Sequence, residues 1–225
     1  DTVMNSATWE AALLAAGAGL MAVEAVLSGA IRRAFCNIRP PGHHAGPSRA
    51  MGFCFINNIA VAAAHALERQ GLGKVAIVDF DVHHGNGTEA IIAGDPRILL
   101  CSTFQSPLYP YCGEDTVSDH IVNVPLPAGT GSAGYRAAFA TRVIPALAAF
   151  RPELVLFSAG FDAHRDDPLA SLELVEEDYY WLTRQVIEAT RESSASRAVS
   201  LLEGGYRLDA LAASACRHVA ALLEE

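Results

Sequence analysis

The chain has 225 residues, a length that suits one domain with a substantial hydrophobic core. Hydrophobic residues make up 51% of it and charged residues only 18%, which excludes a disordered protein. The net charge of −9 argues against direct binding of nucleic acid or of anionic membranes, and it suits a cationic ligand.

Predicted helices and strands alternate along the chain. The hydrophobic patterns predict, in order, helix 8–27, strand 34–38, helix 57–70, strand 75–79, helix 88–92, strands 98–103 and 121–126, helix 133–149, strand 154–159, helix 176–192, strand 198–203 and helix 207–223. Pro145 should kink or divide its helix. The strands are apolar throughout, which is typical of a parallel sheet covered on both faces, so we expect one α/β domain over residues 1–225.

Targeting and membrane signals are weak. The segment Ala11–Leu27 comes nearest to the ~20 apolar residues of a spanning helix, but it contains Glu24 and fits an amphipathic helix better. No signal-peptide pattern occurs, and the five cysteines, an odd number without a CxxC pair, are typical of reduced intracellular thiols. We therefore expect a cytoplasmic protein without a membrane partner, and the sequence allows a homo-oligomer.

Chemically active side chains follow five of the predicted strands. Ligands of open parallel sheets bind beyond the carboxyl ends of the strands, so these side chains should converge at one edge. The converging residues, in chain order, are His43, His44, Asp81, His83, Ser102, Asp162 and Tyr206. Scattered loop polarity would not favour one end of a sheet so consistently, and the pattern therefore predicts a site.

A metal centre is the first interpretation of this site. Asp81 and His83 are one residue apart in an extended segment, so their side chains can point the same way and share an ion. Asp162, at the end of a neighbouring strand, is well placed as a third ligand. Two carboxylates and an imidazole leave the open positions that a catalytic Zn²⁺ needs, and they also accept Fe²⁺ or Mn²⁺. Alternatively, Asp81 caps a turn and His83 is a satisfied buried histidine.

The doublet His43-His44 follows a Pro-Pro-Gly turn that fixes where the imidazoles lie. Adjacent histidines can bind metal, but a hydrolase also needs a general base near neutral pH, which imidazole provides. Asp79 is a natural partner for one histidine and Asn86 for the other. Because a charged partner raises an imidazole pKa more than an amide does, the two histidines should titrate differently.

Aromatic residues complete the predicted site. Tyr206 follows two glycines that can bring its phenol close to the metal, where the hydroxyl could donate to an oxyanion. Phe53 could line a narrow apolar channel opposite Leu108 or Tyr109. Taken alone, Tyr206 is more often a buried aromatic residue than a catalytic one, and Phe53 is also typical of a core residue at the start of a helix.

Five stretches together resemble the histone deacetylase superfamily, including bacterial histone-deacetylase-like amidohydrolases and acetylpolyamine amidohydrolases. They are RPPGHHA (39–45), GFCFINNIAVAA (52–63), VDFDVHHGNGTE (78–89), FSAGFDAHRDDPL (157–169) and LEGGY (202–206). LEGGY and the asparagine of HHGNG are closer to the class II and bacterial branch than to class I. The resemblance implies an arginase/deacetylase-like three-layer α/β fold with a central, mainly parallel sheet, helices on both faces, and its N-terminal part missing here.

The resemblance implies a zinc-dependent deacetylase, a metal-dependent amidohydrolase that cleaves acetyl-lysine or an acetylated polyamine or small amine to acetate and free amine. Its zinc ligands correspond to Asp81, His83 and Asp162. His44 corresponds to the general base and acid, and His43 to its electrostatic partner. Tyr206 corresponds to the residue that polarises the acetyl carbonyl, with Asp79 and Asn86 behind the histidines.

Two further sets of residues are implied by the resemblance. A structural monovalent-cation site, usually K⁺, corresponds to Asp79, the backbone of Asp81 and His83, Ser102 and Thr103. A substrate channel corresponds to Gly52 and Phe53, and we expect Leu108, Tyr109 and Gly204 to line it as well.

Other functions stay open on the sequence. An arginase-type ureohydrolase on the same fold needs two bridged Mn²⁺ ions, whereas the sequence offers ligands for one convincing transition-metal site. A catalytically silent domain that binds acylated amines is the non-enzymatic alternative, although every matching position is intact. The choice between acetyl-lysine and acetylpolyamine substrates is not decided.

Overall fold

Six parallel strands form the central sheet in the computed structural model, which describes residues 2–225. In chain order they are β1 (Arg33–Cys36), β2 (Val75–Asp79), β3 (Ile98–Gln105), β4 (Ile121–Leu126), β5 (Leu154–Ala159) and β6 (Ala198–Leu202). Across the sheet they lie in the order β1-β6-β5-β2-β3-β4, and every neighbouring pair is parallel. The predicted α/β fold with a mainly parallel sheet is confirmed.

Eight α-helices surround the sheet within the described residues. They are α1 (Thr8–Leu27), α2 (Asn58–Glu68), α3 (Asn86–Ile92), α4 (Ser132–Ala138), α5 (Ile144–Phe150), α6 (Glu176–Ala189), α7 (Arg191–Ser194) and α8 (Leu208–Leu223). The helices α1 and α2 pack together against the sheet, and α6 and α8 form a second packed pair. The four strands β2, β3, β5 and β6 are buried at every position, which explains their continuous apolar sequences.

Helix α1 is long and apolar enough, by length and composition, to cross a membrane. In this fold its small residues lie against other elements, and 39% of its apolar window is buried. Gly19 shows how close the packing is, because a Cβ there would contact Leu201 of β6 and Ala62 of α2. Four of the buried residues of the helix belong to the hydrophobic core: Ala15, Ala22, Val23 and Val26.

The region around Pro145 differs in detail from a simple kinked helix. A π-helical turn over Phe139–Val143 separates α4 from α5, and Pro145 lies in the first turn of α5. Proline has no amide hydrogen to donate, and the first turn of a helix leaves that hydrogen without an intrahelical partner anyway. The predicted break is therefore present. Strand β3 runs two residues further than predicted, to Gln105.

The topology brings the chemically active loops together. Strands β6, β5 and β2 are adjacent, and their carboxyl ends are followed by LEGGY, GFDAHRDDP and DFDVHHGNG respectively. Their registers are in phase, since Asp79 pairs with Ser158 and Ala159 pairs with Leu202. Three loops thus leave the sheet at the same level, and the loop after β1 lies beside them.

Candidate functional site

Asp81, His83 and Asp162 come together in the loops that follow β2 and β5. The Nδ1 atom of His83 lies 3.0 Å from Asp81 Oδ1 and 3.2 Å from Asp162 Oδ2. One ligand atom from each of the three residues lies within 4.8 Å of the others, and all three residues are buried. The structure therefore places the three predicted metal ligands in one cluster. It is the one such group found among residues 2–225.

Asp162 carries the feature that favours a metal ion. Its Oδ1 accepts a hydrogen bond from the Val82 N–H at 2.9 Å, whereas its buried Oδ2 is not aligned for any hydrogen bond in the described chain. Burial lowers the pKa of His83, but the Asp162 and Asp81 carboxylates outweigh it and raise that pKa to about 10. A buried, negatively charged cluster with an unpartnered oxygen is costly unless a cation binds there. Two carboxylates and an imidazole fit Zn²⁺.

Two glycines allow the backbone to approach these carboxylates. A Cβ at Gly160 would overlap the Asp81 side chain, and one at Gly204 would overlap the side chain of Asp162. The Gly204 N–H also donates to Asp81 Oδ2 at 2.8 Å. Gly204 was predicted to line the substrate channel, but it lies against the cluster of carboxylates and does not line the channel cavity. Its role in the structure is close packing beneath the site.

His43 and His44 occupy the centre of a β-turn over residues 42–45. Their ring centroids are 4.1 Å apart, so both imidazoles face the same side. His43 Nδ1 lies 3.0 Å from Asp79 Oδ2, and His44 Nδ1 lies 2.8 Å from Asn86 Oδ1. The structure thus gives one histidine a carboxylate partner and the other an amide partner, in the predicted pairs.

The two imidazoles differ in pKa because their surroundings differ. Burial and the adjacent charge of His43 together lower the pKa of His44 to about 2. The charge of Asp81 acts in the opposite direction, but its effect is smaller. Burial also acts to lower the pKa of His43, but nearby carboxylates outweigh this effect and hold it well above its ordinary value. Those carboxylates belong to Asp81, Asp79 and Glu203. His44 is therefore neutral and able to accept a proton, whereas His43 carries one.

Tyr206 lies in the loop after β6, near the Asp-His-Asp cluster. Burial, together with the charges of Asp81 and Asp162, raises the pKa of its phenol, so the hydroxyl keeps its proton and can donate it in a hydrogen bond. Its backbone N–H donates to Asp167 Oδ2 at 2.7 Å. The ring centroid of Tyr206 lies 6.2 Å from that of Phe53, so the two aromatic rings are neighbours.

A cavity of about 240 Å³ leads to this cluster. The predicted channel residues that line it are Gly52, Phe53, Leu108 and Tyr109. Tyr111 and Leu169 line it too, and the sequence interpretation missed both of them. A larger cavity of about 450 Å³ lies between the start of α1 and residues 39–41. It shares Phe53 with the first cavity but touches no residue of the Asp-His-Asp cluster, so we place the chemistry in the smaller one.

The residues predicted to hold a monovalent cation lie at the ends of β2 and β3. Asp79 and Ser102 are register partners in β2 and β3, and the buried Ser102 hydroxyl has no hydrogen-bond partner among the described residues. The Thr103 hydroxyl, in contrast, bonds to the Tyr135 hydroxyl at 2.9 Å. An oxygen of Asp79 accepts the Asp81 N–H at 3.1 Å. These oxygens favour a cation near Asp79 and Ser102, and the full ligand set stays a prediction.

Two functional neighbours of the site were not predicted. Glu203, inside the LEGGY motif, is buried and bonds to the backbone of the histidine turn. Glu89, at the start of α3, pairs with His84, for which the sequence suggested no role. A charged residue between an apolar strand and a glycine pair was the available signal for Glu203. No local pattern marked Glu89.

Comparisons with known proteins agree with this geometry. Residues 1–222 match the family model described as Histone deacetylase domain. Histone deacetylase 14, chloroplastic, of Arabidopsis thaliana is 40% identical over all of the chain, which spans 56% of that protein. Polyamine deacetylase HDAC10 of Homo sapiens is 41% identical over 97% of the chain, which spans 34% of that protein.

A solved structure shows the same fold. The HDA15 HD domain superposes on the whole chain with a TM-score of 0.92 and 38% sequence identity, and the chain covers 67% of that structure. The chain spans only about half or less of these two curated relatives, so the match describes a shared domain. With the family model matching nearly every residue, the chain belongs to the histone deacetylase family.

Proposed function

We propose that this chain is a zinc-dependent deacetylase, which hydrolyses an acetyl-amide to acetate and a free amine. The observation that carries the proposal is the buried Asp81-His83-Asp162 cluster, whose His83 lines the 240 Å³ cavity and whose Asp162 Oδ2 accepts no aligned hydrogen bond. The deacetylase and polyamine deacetylase names of its relatives support the same class of reaction. We further propose that residues 1–225 act as a single catalytic domain, because one buried apolar cluster runs through the sheet and its helices.

Each side chain around the cavity has a part in this hydrolysis. Asp81, His83 and Asp162 would hold Zn²⁺, which when bound supplies Lewis acidity toward the acetyl carbonyl and activates water for attack. His44, neutral in its buried position, accepts the proton of the attacking water and returns a proton to the leaving amine. Tyr206 donates a hydrogen bond to the oxygen that becomes negative.

The partners of the two histidines divide the work between them. The His44 Nδ1–H can donate to Asn86 Oδ1, which leaves Nε2 free to accept a proton. His43, held by Asp79, stays protonated and places a positive charge 4.1 Å from the His44 ring. That charge keeps the His44 pKa low and stabilises negative charge that develops in the cavity.

The substrate class follows from the cavity and is proposed at the level of an acetylated amine. The wall of Phe53, Leu108, Tyr109 and Leu169 suits an alkyl chain that ends in an acetamide, as in acetyl-lysine or an acetylated polyamine. A structural K⁺ near Asp79 and the cytoplasmic location predicted from the sequence remain proposals of the same kind. So does the expectation that the protein binds no nucleic acid.

The test is a screen of the Zn²⁺-loaded protein against acetyl-lysine peptides and acetylated polyamines, with released acetate as the readout. Asp162→Ala is expected to lose bound zinc, measured by atomic absorption, and all turnover. Tyr206→Phe is expected to keep the zinc and lose turnover by about 10²–10³-fold, the usual effect of removing one oxyanion donor. Full turnover in Tyr206→Phe, or none by the zinc-loaded wild type on any acylated amine, would contradict the proposal.

A further inference from the structure

Glu203 is a buried carboxylate for which the proposed reaction has no direct use. It follows β6 immediately, and its side chain is 1% exposed. One oxygen, Oε2, accepts the Gly42 N–H at 2.7 Å and the His43 N–H at 3.1 Å. The other, Oε1, accepts the Ser158 hydroxyl at 3.0 Å. Its three donors therefore come from one other loop of the site, the histidine turn after β1, and from β5.

The two backbone bonds made by Oε2 fall on the turn that carries the catalytic imidazoles. On the other side of this turn, the His43 carbonyl accepts the Thr88 N–H at 3.0 Å. The turn over residues 42–45 is thus held from both sides, by Glu203 through N–H groups and by α3 through a carbonyl. Gly42 packs against the start of α2, where a Cβ would overlap backbone atoms of Asn58, so the turn cannot shift in that direction.

The segment around Glu203 also anchors the rest of the site. Its backbone N–H donates to the Ala159 carbonyl at 2.9 Å, and its carbonyl accepts from Arg39 at 2.8 Å. The next residue, Gly204, donates to the metal-cluster residue Asp81. Two residues further lies Tyr206. The Glu203 side chain therefore connects the histidine turn to the end of β6, where the Gly204 N–H contacts Asp81 and where Tyr206 lies.

We propose that Glu203 is a positioning residue: through Oε2 it fixes the distance between the His43-His44 turn and the Asp81-Tyr206 side of the cavity. This inference rests on the proposed deacetylase function. Both oxygens of this buried carboxyl accept hydrogen bonds from other segments, and two of the three bonds fall on the backbone of the histidine turn. A side chain committed in this way is expected to act on geometry.

The test compares two substitutions that keep the size of the side chain. In Glu203→Gln the amide oxygen can accept both N–H groups while its NH₂ faces the Ser158 hydroxyl, so we expect kcat within about threefold of wild type. In Glu203→Met both acceptors are lost, and we expect kcat to fall by about 10–100-fold with KM and zinc content unchanged, because a small misplacement slows the chemical step. Ser158→Ala is the matched control, since it removes the Oε1 contact alone and should keep wild-type kcat.

Hydrogen–deuterium exchange of residues 42–45 provides a readout that does not need activity. Faster exchange in Glu203→Met than in Glu203→Gln supports the proposal. If the Met variant does not fold, Glu203→Asp, which retracts the carboxylate by one methylene, is expected to show the same two changes. A folded Met variant with wild-type kcat, or with unchanged exchange at the turn, overturns the proposal. A wild type that releases no acetate, with exchange still faster in Glu203→Met, refutes the deacetylase function and supports the contact.

Discussion

His43-His44 and His83-His84 are the two histidine doublets of the chain, and each lies in a loop that follows a strand. In the first doublet both rings face the cavity side, with centroids 4.1 Å apart. In the second, the His83 ring faces the carboxylates of Asp81 and Asp162. The His84 ring faces the other way, and its Nε2 lies 2.9 Å from a carboxylate oxygen of Glu89. The same dipeptide therefore supplies two groups to the site in one place and one group in the other.

The backbone decides this difference. The first doublet forms the two central positions of a β-turn, which present neighbouring side chains on one side. In the second doublet, a bent segment over residues 81–83 brings Asp81 and His83 into the site, and His84 points out of it. The surroundings then set the chemistry. Burial and the charge of His43 keep His44 neutral, while Glu89 ties His84 to the loop over residues 113–123. A histidine doublet by itself thus predicts neither role.

Substitution of the second histidine in each doublet should give the largest difference in kcat. His44→Gln removes the proposed general base, and kcat should fall by about 10²–10⁴-fold. His84→Gln removes a ring that packs on Phe104, with centroids 4.7 Å apart, and kcat should stay within about tenfold. Acetate release by zinc-loaded variants measures both.

Zinc content and a melting curve serve as controls, because His84 adjoins the ligand His83. Equal losses of kcat in the two variants, at equal zinc content, would contradict the division of roles between the doublets.

A glycine lies against the second ring of each doublet and allows a matched pair of substitutions. Gly52 (φ +57°) packs on His44, and Gly113 (φ +99°) packs on His84; a Cβ at either would overlap the ring. In both alanine variants the positive φ introduces a backbone strain of about 1 kcal/mol. Gly52→Ala should in addition displace His44 and lower kcat by about 10–100-fold. Gly113→Ala should lower the melting temperature with kcat nearly unchanged, and a larger loss of kcat in Gly113→Ala would reverse the comparison.

Much of this site could be predicted from the sequence, because parallel strands fix where their carboxyl ends lie. Continuous apolar runs predict β2 and β5. Asp81, His83 and Asp162 follow these two strands within four residues, so they are expected to lie close together at the carboxyl ends of the sheet. The same argument brings in the histidine turn and Tyr206, and the family resemblance adds their catalytic roles. These predictions depend only on strand order and on short distances along the chain.

The remaining contacts depend on the paths of long loops. Glu89 bonds to Thr116 because the loop over residues 106–120 folds back on α3, and Leu169 reaches the cavity from a loop after β5. Gly204 is predicted to line the channel, whereas close packing puts it beneath the carboxylates. Sequence spacing does not record such approaches between distant segments.

The partner of His44 gives a prediction on the pH dependence. Asn86→Asp places a charge 2.8 Å from His44 Nδ1, in the first turn of α3 where an acidic residue is also favoured. The pKa of His44, about 2 in the wild type, should rise by roughly 1–3 units. A general base works only when unprotonated, so the acid limb of the kcat/KM profile should move to higher pH, with activity above pH ~7 little changed. An unmoved acid limb would show that His44 is not the base.

The smallest expected effect concerns the partner of His84. Glu89 bonds to His84 at 2.9 Å, and to Thr116 and Asn123 at 2.7 Å each. Burial acts to raise the pKa of Glu89, but these hydrogen bonds outweigh it and lower that pKa to about 2 from an ordinary 4.5. As the pH falls, the unfolded chain binds this proton first. The stability contributed by Glu89 is therefore complete above pH ~4.5 and is lost between about pH 4.5 and 2.

Glu89→Gln should lower the free energy of unfolding at pH 7 by about 1 kcal/mol, a value discounted because the side chain is partly exposed, and Tm by about 2–4 °C. The difference from wild type should shrink as melting curves are recorded from pH 6 down to pH 3. Glu68→Gln, which removes an exposed partner of Arg97, is the control and should change Tm by less than about 1 °C. If the difference in Tm between Glu89→Gln and wild type does not change with pH, the Glu89 side chain stabilises this loop by packing alone. Its charge would then contribute nothing to the contact with His84.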